Sequence, residues 1–81
     1  MQSVVLYKKP NCSYCNKAEN LLSTYNINYD SFMLDVDFKR DWLVEEYPVA
    51  KTFPVVVVDG FFLGGFTELN EYVNNQKLIL G

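Results

Sequence analysis

Cys12 and Cys15 have the most distinctive chemistry in the sequence, because only two residues separate them and the chain has no other cysteine. A structural disulfide over so short a loop would stabilise a fold little, and a reducing compartment would keep it open. A structural zinc site needs about four ligands, and the sequence has no histidine and no third cysteine to complete one. Thiol–disulfide redox chemistry is therefore the favoured function, and two buried apolar side chains are the plain structural alternative.

The segments around the cysteines predict that the pair lies at the start of a helix. Val4 to Tyr7 is an apolar run typical of a strand, and Pro10 and Asn11 interrupt it, with Asn11 as a candidate helix cap. The helix that follows has one apolar face made of Ala18, Leu21, Leu22 and Tyr25. A helix start lowers the pKa of Cys12 from about 8.5 towards neutrality, because unpaired N–H groups and the positive dipole end favour a thiolate. We therefore expect Cys12 to attack and the more buried Cys15 to resolve.

The middle of the chain predicts a second strand and a second helix. Tyr29 to Leu34 suits a strand, and Asp35 or Asp37 is expected to cap a helix that runs to about Tyr47. The expected buried side of this helix consists of Phe38, Trp42, Leu43 and Tyr47. Pro48 ends the helix, because proline disfavours helical backbone in the residue before it.

The last third predicts a hairpin followed by a helix. Pro54 to Val58 is the clearest strand, Asp59-Gly60 is typical of a two-residue hairpin turn, and Phe61 to Leu63 forms the returning strand. Thr67 is expected to cap the last helix, whose inward-facing residues are Leu69, Tyr72 and Val73. The order β-α-β-α-β-β-α predicts an α/β fold in which a four-stranded mixed sheet is flanked by three helices, with residues 1–81 as a single domain.

Composition and charge limit the classes of partner. A net charge of −3 and a pI near 4.7 argue against binding to nucleic acid. The longest apolar run, residues 53–58, is too short to span a bilayer, and the N-terminus lacks the pattern of a secretory signal. We therefore expect a soluble, cytoplasmic monomer that binds neither nucleic acid nor membrane.

Three motifs, in order along the chain, resemble those of the glutaredoxin family. Lys9 to Cys15 resembles the active-site segment, in which a lysine precedes a Cys-Pro-Tyr-Cys-type motif. Thr52 to Pro54 resembles the Thr-Val-Pro segment, whose proline is cis and lies against the active site. Asp59-Gly60 and the later stretch Leu63 to Leu69 resemble the hairpin and the Gly-Gly-aromatic-Thr-Asp stretch of members that bind glutathione. The resemblance implies a thioredoxin-like fold and a redox-active disulfide.

The resemblance also implies that glutathione lies across Cys12 as a co-substrate. The residues it assigns to glutathione are Lys9, Tyr14, Lys51, Phe53, Pro54, Gly65, Thr67 and Glu68. Lys9 and Lys51 are candidates for binding the glycyl carboxylate, and Phe53 would give main-chain hydrogen bonds. Thr67 and Glu68 would hold the γ-glutamyl end, and Tyr14 would form one side of the groove. Gly65 would let the backbone approach the ligand, with free N–H groups at the start of the last helix receiving a carboxylate.

The implied reaction is the reduction of glutathione mixed disulfides and protein disulfides, with electron transport in cell redox homeostasis as its role. Cys12 would attack the glutathione sulfur, and Cys15 would resolve the adduct formed with a protein disulfide. Ribonucleotide reductase is a usual partner of small glutaredoxins, and it enters here by analogy alone.

The sequence departs from the family pattern at three positions, which leaves alternative functions open. Ser13 replaces the commoner proline, Glu68 replaces aspartate, and Val55 follows the proline where many members have glutamine. A serine at this position resembles glutaredoxins in which two protomers and two glutathiones hold a [2Fe–2S] cluster through Cys12 of each chain, and we expect no other metal site. A redoxin reduced by a thioredoxin reductase is the second alternative. A structural domain with vestigial cysteines is the third.

Overall fold

The computed structural model describes residues 3–75, which form the four strands and three helices that the sequence predicts, in the predicted order. The elements are β1 (Val4–Lys8), α1 (Ser13–Thr24), β2 (Asp30–Met33), α2 (Arg40–Glu46), β3 (Val55–Val58), β4 (Phe61–Gly64) and α3 (Phe66–Asn74). None of the helices in the described residues is long and apolar enough to cross a membrane.

The four strands form one mixed sheet in the order β2-β1-β3-β4. β1 pairs with β2 in parallel and with β3 in antiparallel, and β3 pairs with β4 in antiparallel. Every residue of β3 is buried, because this strand lies inside the sheet and helices cover both faces. Asp59 and Gly60 join β3 to β4 with φ values of 51° and 84°, as the predicted Asp-Gly hairpin turn requires.

The two faces of the sheet bury two separate apolar clusters. Helices α1 and α3 cover one face, where Leu6 and Val56 of the sheet pack against Leu22 and Leu69. Helix α2 covers the other face, where Leu43 packs with side chains from β1 and β3. A sheet with helices on both faces was predicted. Cys12 lies at the end of the loop between β1 and α1, and Pro54 lies at the end of the loop between α2 and β3.

Helix α2 is shorter than predicted, and the cap assigned to Asp35 or Asp37 is wrong. The chain first makes a turn in which Asp35 has a φ of 65° and the Asp37 carboxylate accepts a hydrogen bond from the Met33 N–H at 2.9 Å. Phe38 therefore lies before the helix, in an isolated bridge with Leu34, and Lys39 is the residue that precedes the first helical turn.

Other residues also lie differently from the sequence expectation. Trp42 was expected to be buried but is 40% exposed. Its ring lies at the edge of the apolar cluster, with its centroid 5.6 Å from that of the Tyr7 ring. Tyr25 is exposed because it is the C-cap of α1 and no longer part of its apolar face. Gly65, and not Thr67, is the N-cap of α3. Tyr29, Leu34 and Pro54 fall just outside the strands, and Gly64 belongs to β4.

Candidate active site

Cys12 is the N-cap residue of α1. The preceding Asn11 has a φ of 57°, which turns the chain sharply and excludes it from the capping position that the sequence suggested. Cys12 has an extended backbone, and its Sγ accepts a hydrogen bond from the Cys15 N–H at 3.1 Å. The sulfur therefore takes the place that a serine or aspartate oxygen occupies at most helix starts.

Cys15 lies one turn further along α1 and forms a disulfide with Cys12. Their Cα atoms are 5.2 Å apart, within the usual range for a disulfide. Cys15 is 1% exposed and Cys12 is 9% exposed, so the predicted difference in burial is confirmed. The side chain that an incoming thiol or disulfide can reach is therefore that of Cys12.

Phe53 and Pro54 form the second part of the site, directly before β3. The peptide bond between them is cis. The Phe53 ring is flanked by two cations, with Lys9 Nζ 5.8 Å and Arg40 Cζ 5.5 Å from its centroid. Both distances are within the range of a cation–π contact. The predicted residue Lys9 therefore lies beside Phe53, and so does Arg40, which the sequence reasoning did not single out.

The start of α3 forms the third part of the site. The Glu68 carboxylate accepts a hydrogen bond from the Gly65 N–H at 2.7 Å, in the manner of a capping box. The Gly65 N–H is therefore engaged within the protein. The N–H groups of Phe66 and Thr67 remain without an intrahelical acceptor, as at any helix start.

Tyr14 of α1 and the second and third parts of the site line an open groove of about 360 Å³, and neither cysteine is among its lining residues. Its lining residues are Tyr14, Thr52, Phe53, Pro54, Gly65, Phe66, Thr67 and Glu68. Six of the eight residues that the resemblance assigns to glutathione thus share one groove. Lys51 lies elsewhere, with Arg40, at a cavity of about 30 Å³ that Phe53 also lines. Phe66 was missed, although its place in the aromatic motif could have indicated its contact with the Tyr14 ring, 5.9 Å between centroids.

Lys8 and Glu19 form an ion pair outside the groove, with 3.1 Å between Nζ and the carboxylate. The Tyr29 hydroxyl donates a hydrogen bond to the same carboxylate at 3.0 Å. Burial, and then this contact with Glu19, raises the pKa of Tyr29 above its usual value. Lys8 is therefore engaged with α1 and does not face the cysteines as a ligand.

Comparison with known proteins identifies the family. The glutaredoxin family model matches residues 4–63, which include both cysteines and the cis proline. The chain belongs to the glutaredoxin family. The matched range ends just before Gly64, so the third motif of the sequence lies mostly beyond it.

Individual relatives extend this membership over nearly the whole chain. Mitochondrial glutaredoxin-2 from Bos taurus is 32% identical over 79 residues, which cover 94% of this chain and 50% of the relative. Glutaredoxin 3 from Escherichia coli K12 is 29% identical over 70 residues, covering 85% of this chain and 83% of the relative. The crystal structure of glutaredoxin 1 from Francisella tularensis superposes with a TM-score of 0.78 at 26% identity, covering 95% and 98% of the two chains. The chain thus spans about half the length of its mammalian relative and has the thioredoxin-like fold.

Proposed function

We propose that this glutaredoxin-family protein is a thiol–disulfide oxidoreductase that uses glutathione, with Cys12 as the attacking thiol and Cys15 as the resolving thiol. The observation that carries the proposal is the position of Cys12 Sγ at the N-cap of α1, where it accepts the Cys15 N–H. After reduction, that N–H and the helix start favour a thiolate on Cys12, and only the thiolate is a competent nucleophile. Cys15 is one turn away and buried, so it suits intramolecular resolution and not the first attack.

The charges around the groove suit the two ends of glutathione. Lys9 and Arg40, both beside the Phe53 ring, offer cations to the glycyl carboxylate. At the other side of the groove, the free N–H groups at the start of α3 suit the γ-glutamyl carboxylate, and Glu68 suits its ammonium group. The main chain of Phe53 would pair with the cysteinyl unit, as in peptide recognition at a strand edge.

The proposed reaction needs no group beyond the two thiols and glutathione. The Cys12 thiolate attacks the glutathione sulfur of a mixed disulfide, the substrate thiolate leaves and takes a proton, and a Cys12–glutathione disulfide forms. A second glutathione thiolate then attacks this adduct, which yields glutathione disulfide and restores the Cys12 thiolate. With a protein disulfide, Cys12 forms the mixed disulfide and Cys15 displaces the substrate thiolate, which leaves the Cys12–Cys15 disulfide.

The test is turnover of a glutathione–cysteamine mixed disulfide, coupled to glutathione reductase, by the wild type and by Cys12→Ser and Cys15→Ser. We expect Cys12→Ser to be inactive and Cys15→Ser to retain activity on this substrate while losing activity on an oxidised protein. Turnover by Cys12→Ser would refute the mechanism. Activity that requires a thioredoxin reductase in place of glutathione would support the alternative redoxin function.

A dimer that bridges a [2Fe–2S] cluster is the second candidate, because Ser13 is the first residue of α1 and is exposed beside Cys12. Cysteine thiolates ligate such clusters, so Cys12 fits as a ligand only after its disulfide with Cys15 has been reduced. Residues 3–75 contain no group of three or more potential metal-ligating side chains, so the remaining ligands would come from a second chain and two glutathiones. Anaerobic reconstitution should then give a coloured dimer with the wild type and a colourless monomer with Cys12→Ser, and a colourless wild type would contradict the cluster.

A cytoplasmic location, a monomeric state and ribonucleotide reductase as a partner belong to the proposal as well. The bovine relative is named as a mitochondrial protein, so the compartment is best tested by locating the protein in its own cells.

A further inference from the structure

The lysines and arginines of this acidic protein are not spread evenly over its surface. The chain has seven, and six of them lie in residues 3–75. Lys8 pairs with Glu19 at 3.1 Å, and Lys39 pairs with Asp35 at 3.6 Å. Within residues 3–75, the other four form no ion pair: Lys9, Lys17, Arg40 and Lys51.

All four of these cations lie around the proposed active site, and we call them the rim cations. Lys9 and Arg40 each lie within cation–π distance of the Phe53 ring, and Lys51 shares the small cavity that this ring also lines. Lys17 lies on α1, with Nζ 4.9 Å from the centroid of the Tyr14 ring. Since the whole chain has a charge of −3, the rim cations make a positive region on a negative protein.

Lys17 is the rim cation that the binding of glutathione leaves unused. The groove has Tyr14 as one of its lining residues, whereas Lys17 does not line it. Tyr14 is 55% exposed, and its side chain both lines the groove and makes a cation–π contact with the Lys17 ammonium group. The cation–π contact holds this ammonium near the start of α1, because Lys17 lies about one turn beyond Tyr14 and two residues beyond Cys15. Here it can meet the part of a substrate that extends out of the groove.

We propose that the preferred substrates are disulfide-bonded peptide segments with aspartate or glutamate next to the cysteine, and that Lys17 binds one of these carboxylates. The inference rests on the proposed attack by Cys12 and adds the class of the protein substrate. An acidic segment would be repelled by the protein as a whole but attracted at the rim cations, which favours docking with its disulfide at Cys12. Glu68 is the carboxylate that lines the groove, and it is engaged with the Gly65 N–H.

The test uses three peptides of equal length, each with one cysteine flanked by two aspartates, two asparagines or two lysines, and each joined through a disulfide to thionitrobenzoate. The Cys12 thiolate of the fully reduced protein attacks the peptide sulfur, and the coloured thionitrobenzoate thiolate leaves. Cys15 then closes the protein disulfide and releases the peptide thiolate, so the protein dithiol supplies both electrons. The rate of colour release in a single turnover needs no glutathione.

We expect the aspartate peptide to react about two- to fivefold faster than the asparagine peptide at low salt, and the lysine peptide to react more slowly by a similar factor, as for one exposed ion pair. The difference should vanish at about 1 M salt, where screening acts within about 3 Å. Lys17→Gln should remove about half of the preference on a logarithmic scale. Asn28→Asp is the matched control, because it makes the same change in net charge in the exposed segment that follows the far end of α1. That end, Thr24, is about 10 Å from Lys17 along the helix axis.

Equal rates for the three peptides would overturn the inference. An equal loss of the preference for the aspartate peptide in Lys17→Gln and Asn28→Asp would also overturn it, because the net charge of the protein alone would then explain the preference. Turnover of the same peptides joined to glutathione separates this inference from the proposed function. A charge preference in the single turnover without any glutathione turnover would contradict glutathione use and support the inference. Glutathione turnover without a charge preference would support the function and contradict the inference.

Discussion

Replacement of Gly64 by alanine should damage both the stability of this protein and its groove. Gly64 ends β4 with a φ of 142°, a conformation that side chains rarely adopt. A Cβ atom at this position would lie 2.5 Å from Glu68 Cγ, 2.7 Å from Glu68 Cβ and 2.7 Å from its Oε1. Glu68 would have to move, and its hydrogen bond with the Gly65 N–H would then be lost.

The magnitude follows from three costs and one gain. The backbone conformation costs about 1–3 kcal/mol for a residue other than glycine, and the overlap with Glu68 costs about 1–3 kcal/mol. Loss of the hydrogen bond to Gly65 adds about 1 kcal/mol. Alanine restricts the unfolded chain, which returns about 0.4–1 kcal/mol. With the lower part of each range, the free energy of unfolding should fall by about 2–3 kcal/mol.

Two other glycines are matched controls for Gly64→Ala. Gly60 has a φ of 84° with no atom within 4 Å of an added Cβ, so Gly60→Ala tests the backbone cost alone, about 1–2 kcal/mol. Gly65 has a φ of −101°, and its added Cβ would meet the Pro54 carbonyl at 3.5 Å, an ordinary contact. Gly65→Ala should therefore change the stability by about 0.5 kcal/mol or less.

The assay is urea unfolding followed by circular dichroism, with the Cys12–Cys15 disulfide oxidised in every variant. For a slope of about 1 kcal/mol per M in a chain of this size, Gly64→Ala should lower the midpoint by about 2–3 M. The Michaelis constant for glutathione should also rise, because Glu68 lines the groove. A midpoint for Gly64→Ala equal to or above that of Gly60→Ala would refute the reasoning from the overlap with Glu68.

Three further predictions concern the cation site, the core and the response to alkali. Arg40→Gln should raise the Michaelis constant for glutathione about two- to fivefold with little change in kcat, because Arg40 lies beside Phe53. Lys39→Gln is the control and should leave this constant unchanged, because the Lys39 ammonium pairs with Asp35. Equal effects of the two substitutions would contradict the role of Arg40. Leu22→Ala should lower the free energy of unfolding by about 2–5 kcal/mol, because the side chain is fully buried, and Leu21→Ala, only partly buried, should cost clearly less in the same urea assay. Burial and then contact with the Glu19 carboxylate raise the pKa of Tyr29, so the folded state keeps the phenolic proton to higher pH than the unfolded state. The contribution of this proton to the free energy of unfolding is therefore present below about pH 10 and is lost as the pH rises above it. The midpoint of Tyr29→Phe in urea should accordingly fall less than that of the wild type between about pH 9 and pH 11, and parallel curves would contradict the assignment.

Local features of the sequence were sufficient for most of the fold. The apolar run of β3, the Asp59-Gly60 turn and the amphipathic pattern of α1 each specify a structure through interactions between near neighbours, and all three are observed. The position of Cys12 at a helix start is local in the same sense, because a strand, a break at Pro10 and an apolar helix face are all visible in the sequence. The redox chemistry was therefore predictable from the order of a few neighbouring residues.

Tertiary structure decided the features that depend on residues far apart in the chain. Arg40 reaches Phe53 because α2 packs on the same face of the sheet as the loop before β3, and no spacing in the sequence encodes that contact. Trp42 is exposed because the packing of α2 leaves it at the rim, although its helical spacing matched that of buried residues.

The same distinction applies to the site itself. The sequence by itself determined which cysteine begins the helix and which is one turn inside it, since both depend on local backbone geometry. It did not determine that the Glu68 carboxylate occupies the Gly65 N–H, because a turn must first bring the end of β4 and the start of α3 together. Nor did it determine that Lys9 and Arg40, which form no ion pair within residues 3–75, both lie beside the Phe53 ring, because these residues come from three separate segments that only packing brings together.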